Sequence, residues 1–349
     1  MRREVVLAAP GPLDQATGGY IYDRQIVDGL RRLGWDVRLT ALSPRFPAPT
    51  AADVEATSAW LRALDPAVPV VIDGLAFGAM ADVVAQVADR PPLIALVHHP
   101  LADETGLDPA VAEGLLDGEM LALRSAIGVV VTSPFTRRRL DAFGVAADRI
   151  RVVEPGVDRQ SPAPCSGVPP RLLCVASYTR RKGHDVLLDA LGRLADRPWQ
   201  LLCVGATGLD PDHERAVRDR AARLGDRVTL LGPQPREQLG ALYGHADLFV
   251  LASHYEGYGM VLSEALAAGV PVVACAGGAV RDTVPPDAGL LVGPGDAIGL
   301  ADALALVMED GNYHRSLVEG ARNARLQLPS WDDAARRFAA AIRELAAWA

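Results

Sequence analysis

The chain has 349 residues, half of them apolar, and carries 43 acidic against 35 basic side chains for a formal net charge of −8. One hydrophobic core rarely grows much beyond about 250 residues, so this length calls for two α/β domains. The acidic balance speaks against a nucleic-acid binder, which carries a basic stripe, and no stretch of about 18 uncharged apolar residues offers a membrane span.

Met1-Arg2-Arg3 ahead of an apolar run has the look of a secretory leader. Glu4 interrupts it and Pro10 to Asp14 read as a turn, so Val5 to Ala9 is expected to be the first strand. Gly18-Gly19 then precede a helix reaching to about Gly34, with Ile26, Leu30 and Leu33 on one face and Gly34 as its stop. Further apolar runs fall at Val37–Leu42, Val70–Ile72, Leu93–Val97, Val129–Thr132 and Ile150–Val153. Strand–helix alternation of this kind implies a parallel sheet with helices on both faces. Two polar motifs follow strands here: Asp73-Gly74, and His98-His99-Pro100. A metal held by His98 and His99 is discounted, because neighbours on an extended chain point oppositely and no third ligand is evident. Ser133 opens a helix whose Arg137, Arg138 and Arg139 read as a solvated face.

Residues Asp158 to Pro170 hold four prolines and little apolar content, and read as an interdomain linker. A second alternating set follows, with strands expected at Arg171–Ser177, Gln200–Ala206, Val228–Gly232, Leu248–Ser253, Pro271–Cys275 and Gly289–Val292. Asp296–Asp310 and Tyr313–Leu328 read as helices, and Trp331–Trp348 as a last amphipathic helix after Ser330 as N-cap. The four cysteines, Cys165, Cys174, Cys203 and Cys275, form no C-x-x-C pair. Zinc and thioredoxin readings therefore lack support, and buried reduced thiols of a cytoplasmic protein are expected.

In open parallel sheets ligands bind beyond the carboxyl ends of strands. Two segments there carry chemistry. After Arg171–Ser177 comes the basic cluster Arg180-Arg181-Lys182-Gly183, suited to a diphosphate. After Leu248–Ser253 come His254-Tyr255-Glu256-Gly257-Tyr258-Gly259-Met260-Val261-Leu262-Ser263-Glu264. Gly257 and Gly259 let backbone approach a ligand. The amides of Met260, Val261 and Leu262 would form a free helix N-terminus for phosphate. Glu256 and Glu264 can accept hydrogen bonds from sugar and ribose hydroxyls.

Residues Glu256 to Val273 resemble the E-x7-E signature of retaining GT-B glycosyltransferases, in particular glycosyltransferase family four. Gly18-Gly19, Arg171–Leu188 and Val228–Ser253 extend the resemblance over nearly the whole chain. It implies two Rossmann-like, doubly wound parallel-sheet domains facing a cleft. Residues 1–160, with helix 331–349 packed back on them, would bind the acceptor; residues 161–330 would bind the nucleotide-sugar donor. It implies metal-independent transfer of a hexose from a UDP-sugar to a hydroxyl acceptor with retention. Lys182, Glu256 and His98 would stand at the reaction centre. Arg181, Gly232, Gly257, Tyr258, Gly259, Met260, Val261, Leu262 and Glu264 would hold the donor, and Gly18, Gly19, Asp73 and His99 would lie on the acceptor side. Ser177 stands where most relatives carry arginine, and the Arg181-Lys182 pair fits members that use this loop instead. Glu154-Pro155-Gly156-Val157-Asp158 occupies the place of the relatives' P-N-G-V-D.

No metal and no cofactor beyond the donor is expected, since fixed cations and a helix N-terminus meet the leaving charge. Asp53 to Asp89 has one arginine, Arg62, among several acidic residues, so a small acceptor is favoured over a membrane lipid. The residues leave open a nucleotide-sugar epimerase, a sugar phosphorylase and a non-catalytic nucleotide-sugar-binding protein.

Overall fold

A computed structural model describes residues 3–15, 17–87 and 91–347. Met1, Arg2 and the expected helix end at Trp348 lie outside them, as do the last two residues of the Asp53–Asp89 stretch. The chain forms two compact units: residues 1–156 with 331–349, and residues 157–330.

The first unit holds six strands: β1 Glu4–Pro10, β2 Asp36–Leu42, β3 Val70–Asp73, β4 Leu93–Val97, β5 Gly128–Val131 and β6 Ile150–Val152. All pair in parallel in the order β2-β1-β3-β4-β5-β6, so the winding direction reverses between β1 and β3. The central strands β3, β4 and β5 are buried throughout. That is why they read as Val-, Ile- and Leu-rich runs rather than alternating ones, broken only by Asp73 at the end of β3 and Gly128 at the start of β5. The helix Trp331–Ala346 packs on this unit with Trp331, Ala335, Phe338, Ile342 and Leu345 turned inward. Its partner is the helix Gly18–Arg32: a Cβ at Gly29 would lie 2.4 Å from that of Ala335, so only glycine admits this approach. Tyr22 anchors the contact. Its ring meets Trp331 and Phe338 edge-on, and its hydroxyl donates to the Val153 carbonyl.

The second unit also holds six strands: β7 Arg171–Val175, β8 Gln200–Val204, β9 Val228–Leu231, β10 Leu248–Leu251, β11 Val272–Cys275 and β12 Gly289–Val292. They lie in parallel in the order β9-β8-β7-β10-β11-β12, the doubly wound arrangement whose direction reverses between β7 and β10. The proline-rich stretch read as a linker belongs to this unit. Ala163 and Cys165 enter its core, and Asp247 accepts from the Gly167 and Arg171 amides. Prolines deny the stretch a helix or strand of its own, but side chains and one carboxylate still fasten it. All four cysteines are free and buried.

Candidate active site

The winding direction reverses between β7 and β10, the place where doubly wound sheets bind ligands, and the loops leaving these two strands carry the candidate residues. After β7 the chain turns through a single 3-10 turn, Arg180–Lys182, and enters the helix His184–Gly192. After β10 the chain runs through Glu256 and enters the helix Met260–Ala267 at Gly259, whose φ of 85° is left-handed. The two loops are tied together. The His254 amide donates to the Arg181 carbonyl at 2.8 Å, and Arg181 Nη1 donates to the Tyr255 carbonyl at 2.9 Å.

Lys182 Nζ donates to Glu256 Oε1 at 2.6 Å, and Arg181 Nη1 lies 3.8 Å from Glu256 Oε2. Both members of the closer pair are largely buried. Burial pushes the Glu256 carboxyl up, but Lys182 and Arg181 hold it below the usual carboxylate range. Burial outweighs Glu256 on the other side and brings the Lys182 ammonium down. The loop after β11 supports Glu256 from behind: its carbonyl accepts from the Ala279 amide at 2.8 Å, and it bridges to Gly278.

Glu264 sits about one turn into the helix Met260–Ala267, with Oε2 accepting from the Tyr243 hydroxyl at 2.9 Å. Burial raises its carboxyl to about 7. Tyr258 is buried; its hydroxyl accepts from Ser263 and its carbonyl from Thr283. One expectation fails at Leu262. Its amide donates to the Gly259 carbonyl at 2.9 Å and its side chain is fully buried, so it is no free phosphate donor. The tight left-handed entry at Gly259 closes that bond within the first turn. Gly232 follows β9 with open space where a Cβ would be, and Gly257 lies in the loop beside Glu256.

In the first unit a second group of residues forms at the β1/β3 reversal. Gly18 begins the helix after β1, Asp73 ends β3 and His98 follows β4. His98 Nε2 lies 3.0 Å from Asp23 Oδ1 and 3.5 Å from Asp73 Oδ2. The helix passes so close that a Cβ on Gly19 would lie 3.3 Å from His98 Cδ2. His99 faces elsewhere, with Nε2 3.7 Å from Glu104. Burial pushes His98 down, but Asp23 and Asp73 together hold it above the ordinary imidazole value. Burial, then the Asp23 charge, raises Asp73 to about 7 against the pull of His98. The donor atoms of Asp23, Asp73 and His98 lie within 4.8 Å of one another, as do those of Cys174, His184 and Cys203. Each set has the spacing to hold a cation.

The raised Asp73 predicts a pH effect with a definite sign. Folded Asp73 keeps a proton that an unfolded carboxyl releases near pH 4, so folding takes up a proton between about pH 4 and 7. Stability from this group therefore falls as pH rises through that window. Urea midpoints at pH 5 and pH 7.5 should fall further apart for the native chain than for Asp73→Asn. Equal slopes would refute this account of the cluster.

Asp23 and Tyr243 escape a reading of the sequence. Asp23 lies one helical turn past Gly19, and an aspartate facing inward there is a signal of sorts. Tyr243 is brought to Glu264 by the helix Arg236–His245, from 21 residues away, with no local mark.

Comparison with known proteins bears on both groups of residues. Residues 4–161 match the family model described as Glycosyltransferase Family 4, and residues 164–324 match that described as Glycosyl transferases group 1. A D-inositol 3-phosphate glycosyltransferase of Xylanimonas cellulosilytica is 35% identical over 213 residues, 55% of this chain and 51% of that protein. The chain thus spans about half the length of that curated relative. Sucrose-phosphate synthase of Thermosynechococcus elongatus is similar in structure over 100% of both chains, with a TM-score of 0.80 and 26% identity. The Anabaena HepE protein, solved in complex with UDP-glucose, shares the fold over 97% of this chain and 98% of its own, with a TM-score of 0.74 and 21% identity. The two family matches lie side by side along two doubly wound parallel sheets, and the chain belongs to glycosyltransferase family four, with the GT-B architecture of two Rossmann-like domains.

Proposed function

We propose that the chain transfers a hexose from a nucleoside diphosphate sugar, a UDP-sugar, to a hydroxyl acceptor, with retention and without a metal. The observation that carries this reading is the Lys182–Glu256 pair at the β7/β10 reversal, with Glu264 on the helix that follows and Tyr243 reaching it from the helix Arg236–His245. Its similarity to sucrose-phosphate synthase over the whole chain supports it, and the UDP-glucose held by HepE on the same fold suggests the nucleotide.

In this mechanism the donor diphosphate displaces Glu256 as the partner of Lys182. As the bond from the sugar's anomeric carbon to the diphosphate breaks, negative charge grows on the leaving oxygen. Lys182 and Arg181 meet that charge at fixed positions, together with the amides opening the helix at Met260 and Val261. Glu256 then faces the transferred sugar's hydroxyls, and Glu264 accepts from the ribose. The acceptor hydroxyl attacks from the face the diphosphate leaves, and its proton passes to the leaving phosphate oxygen. His98, held by Asp23 and Asp73, orients the acceptor. Among the described residues no helix is long and apolar enough to cross a membrane.

The test is melting temperature against UDP, GDP and ADP and their sugars, paired with turnover. UDP should give the largest shift. Glu264→Gln, which leaves Tyr243 an acceptor, should weaken UDP binding about 10–100-fold, the worth of one charged hydrogen bond. A melting shift without transfer or donor hydrolysis would reduce the protein to a nucleotide-sugar binder. Unaltered UDP affinity in Glu264→Gln would remove that residue from the donor site.

A further inference from the structure

Three donor atoms converge beneath the loop that carries Arg181 and Lys182. Cys174 of β7 and Cys203 of β8 are register partners on adjacent parallel strands, so their side chains leave the sheet on the same face. His184, the first residue of the helix that follows, brings Nε2 to 4.0 Å from Cys174 Sγ. The three donor atoms lie within 4.8 Å of one another, and the residues are 1%, 0% and 1% exposed. Nδ1 of His184 has no hydrogen-bond partner among the described residues. Tyr178 closes the group from one side with its ring 4.8 Å from that of His184, and its hydroxyl is already committed to the Cys203 and Leu231 carbonyls.

We propose that Cys174, Cys203 and His184 bind a thiophilic divalent cation, zinc, that fastens the loop of Lys182 to the sheet. Geometry and charge both point there. Zinc–sulfur and zinc–nitrogen bonds of about 2.3 and 2.0–2.1 Å at tetrahedral angles separate two sulfurs by about 3.8 Å and sulfur from nitrogen by about 3.6 Å. The 4.0 Å spacing of Cys174 and His184 needs only a few tenths of an ångström of side-chain movement. Two thiolates cancel a double positive charge, so the occupied site would be electrically neutral in a dry interior, which a monovalent ion would not achieve. Binding releases two thiol protons to solvent. Without an ion, two thiols are left as weak donors to each other and to one imidazole. The ligands sit on two strands and a helix, 10 and 29 residues from Cys174, and so form no linear motif.

The full-length chain, purified, incubated with zinc chloride and desalted, should keep one zinc per chain by elemental analysis. Cobalt chloride in its place should give a thiolate-to-cobalt charge-transfer band. Chelator should lower the melting temperature by several degrees and zinc should restore it. Cys174→Ser and Cys203→Ser should lose the ion and the band, whereas Cys165→Ser should keep both. The cobalt spectrum of the unaltered chain stands by itself should a serine variant fail to fold. Less than a tenth of an equivalent retained, a cobalt spectrum without the thiolate band, or equal zinc in Cys174→Ser overturns the proposal.

Discussion

Replacing Lys182 by alanine should lower kcat/KM about 100- to 1000-fold, the usual consequence of removing one fixed donor to a developing anion. It should also cost stability. Glu256 is 6% exposed and would keep only Arg181, at 3.8 Å, to balance its charge. Removing one member of a buried pair destabilises by about 3–5 kcal/mol, and the remaining Arg181 should bring the loss toward the low end. The two effects can be separated. Lys182→Met with Glu256→Gln removes both charges at similar volume, so stability should return while transfer does not. Urea denaturation and initial rates on the native chain, Lys182→Met, Glu256→Gln and the double variant supply the measurement. Turnover within twofold of the native chain in Lys182→Ala would refute the assigned role of the loop.

The residue after it should be nearly as intolerant, for a backbone reason. Gly183 adopts φ 62° and ψ 31°, and a Cβ there would stand 2.1 Å from the Ala252 carbonyl oxygen at the end of β10. An L side chain in the left-handed region costs about 1–2 kcal/mol, and forcing atoms into a filled space adds about 1–3. Gly183→Ala should therefore lose about 2–5 kcal/mol of stability by urea denaturation. Because Lys182 must shift with the backbone, transfer should fall as well. A loss below about 1 kcal/mol would mean that the loop does not seat against β10 this closely.

Most of the fold was legible because buried parallel strands are written as short uninterrupted apolar runs. Leu93–Val97 and Gly289–Val292 were read to the residue, and the glycine after the first helix marked its end. The proline-rich stretch misled because composition reports the lack of regular structure, not the lack of contacts. Ala163 and Cys165 are held by the carbonyls of Ala246, Ala268 and Gly269, in the turns after two helices about 80 to 105 residues further on. The candidate sites divide in the same way. His98 directly follows a strand, Lys182 and Glu256 lie in the loops that leave β7 and β10, and strand ends can be located from sequence. Their neighbours Asp23 and Tyr243 project from helices, where which face turns inward is settled by packing. The amide of Leu262 was misread for a related reason. Whether a first-turn amide is free depends on how the preceding glycine turns, and only the dihedral angle reveals that.

The helix Trp331–Ala346 completes the first unit from beyond the second. Viewed as a growing chain, the first unit keeps the helix face that carries Tyr22 and Gly29 uncovered until the entire second unit has been synthesised. The second unit, by contrast, is one uninterrupted stretch and can mature as soon as it emerges. Order of synthesis and order of completion are thus reversed, and the first half of the nascent chain is the half in need of protection from aggregation.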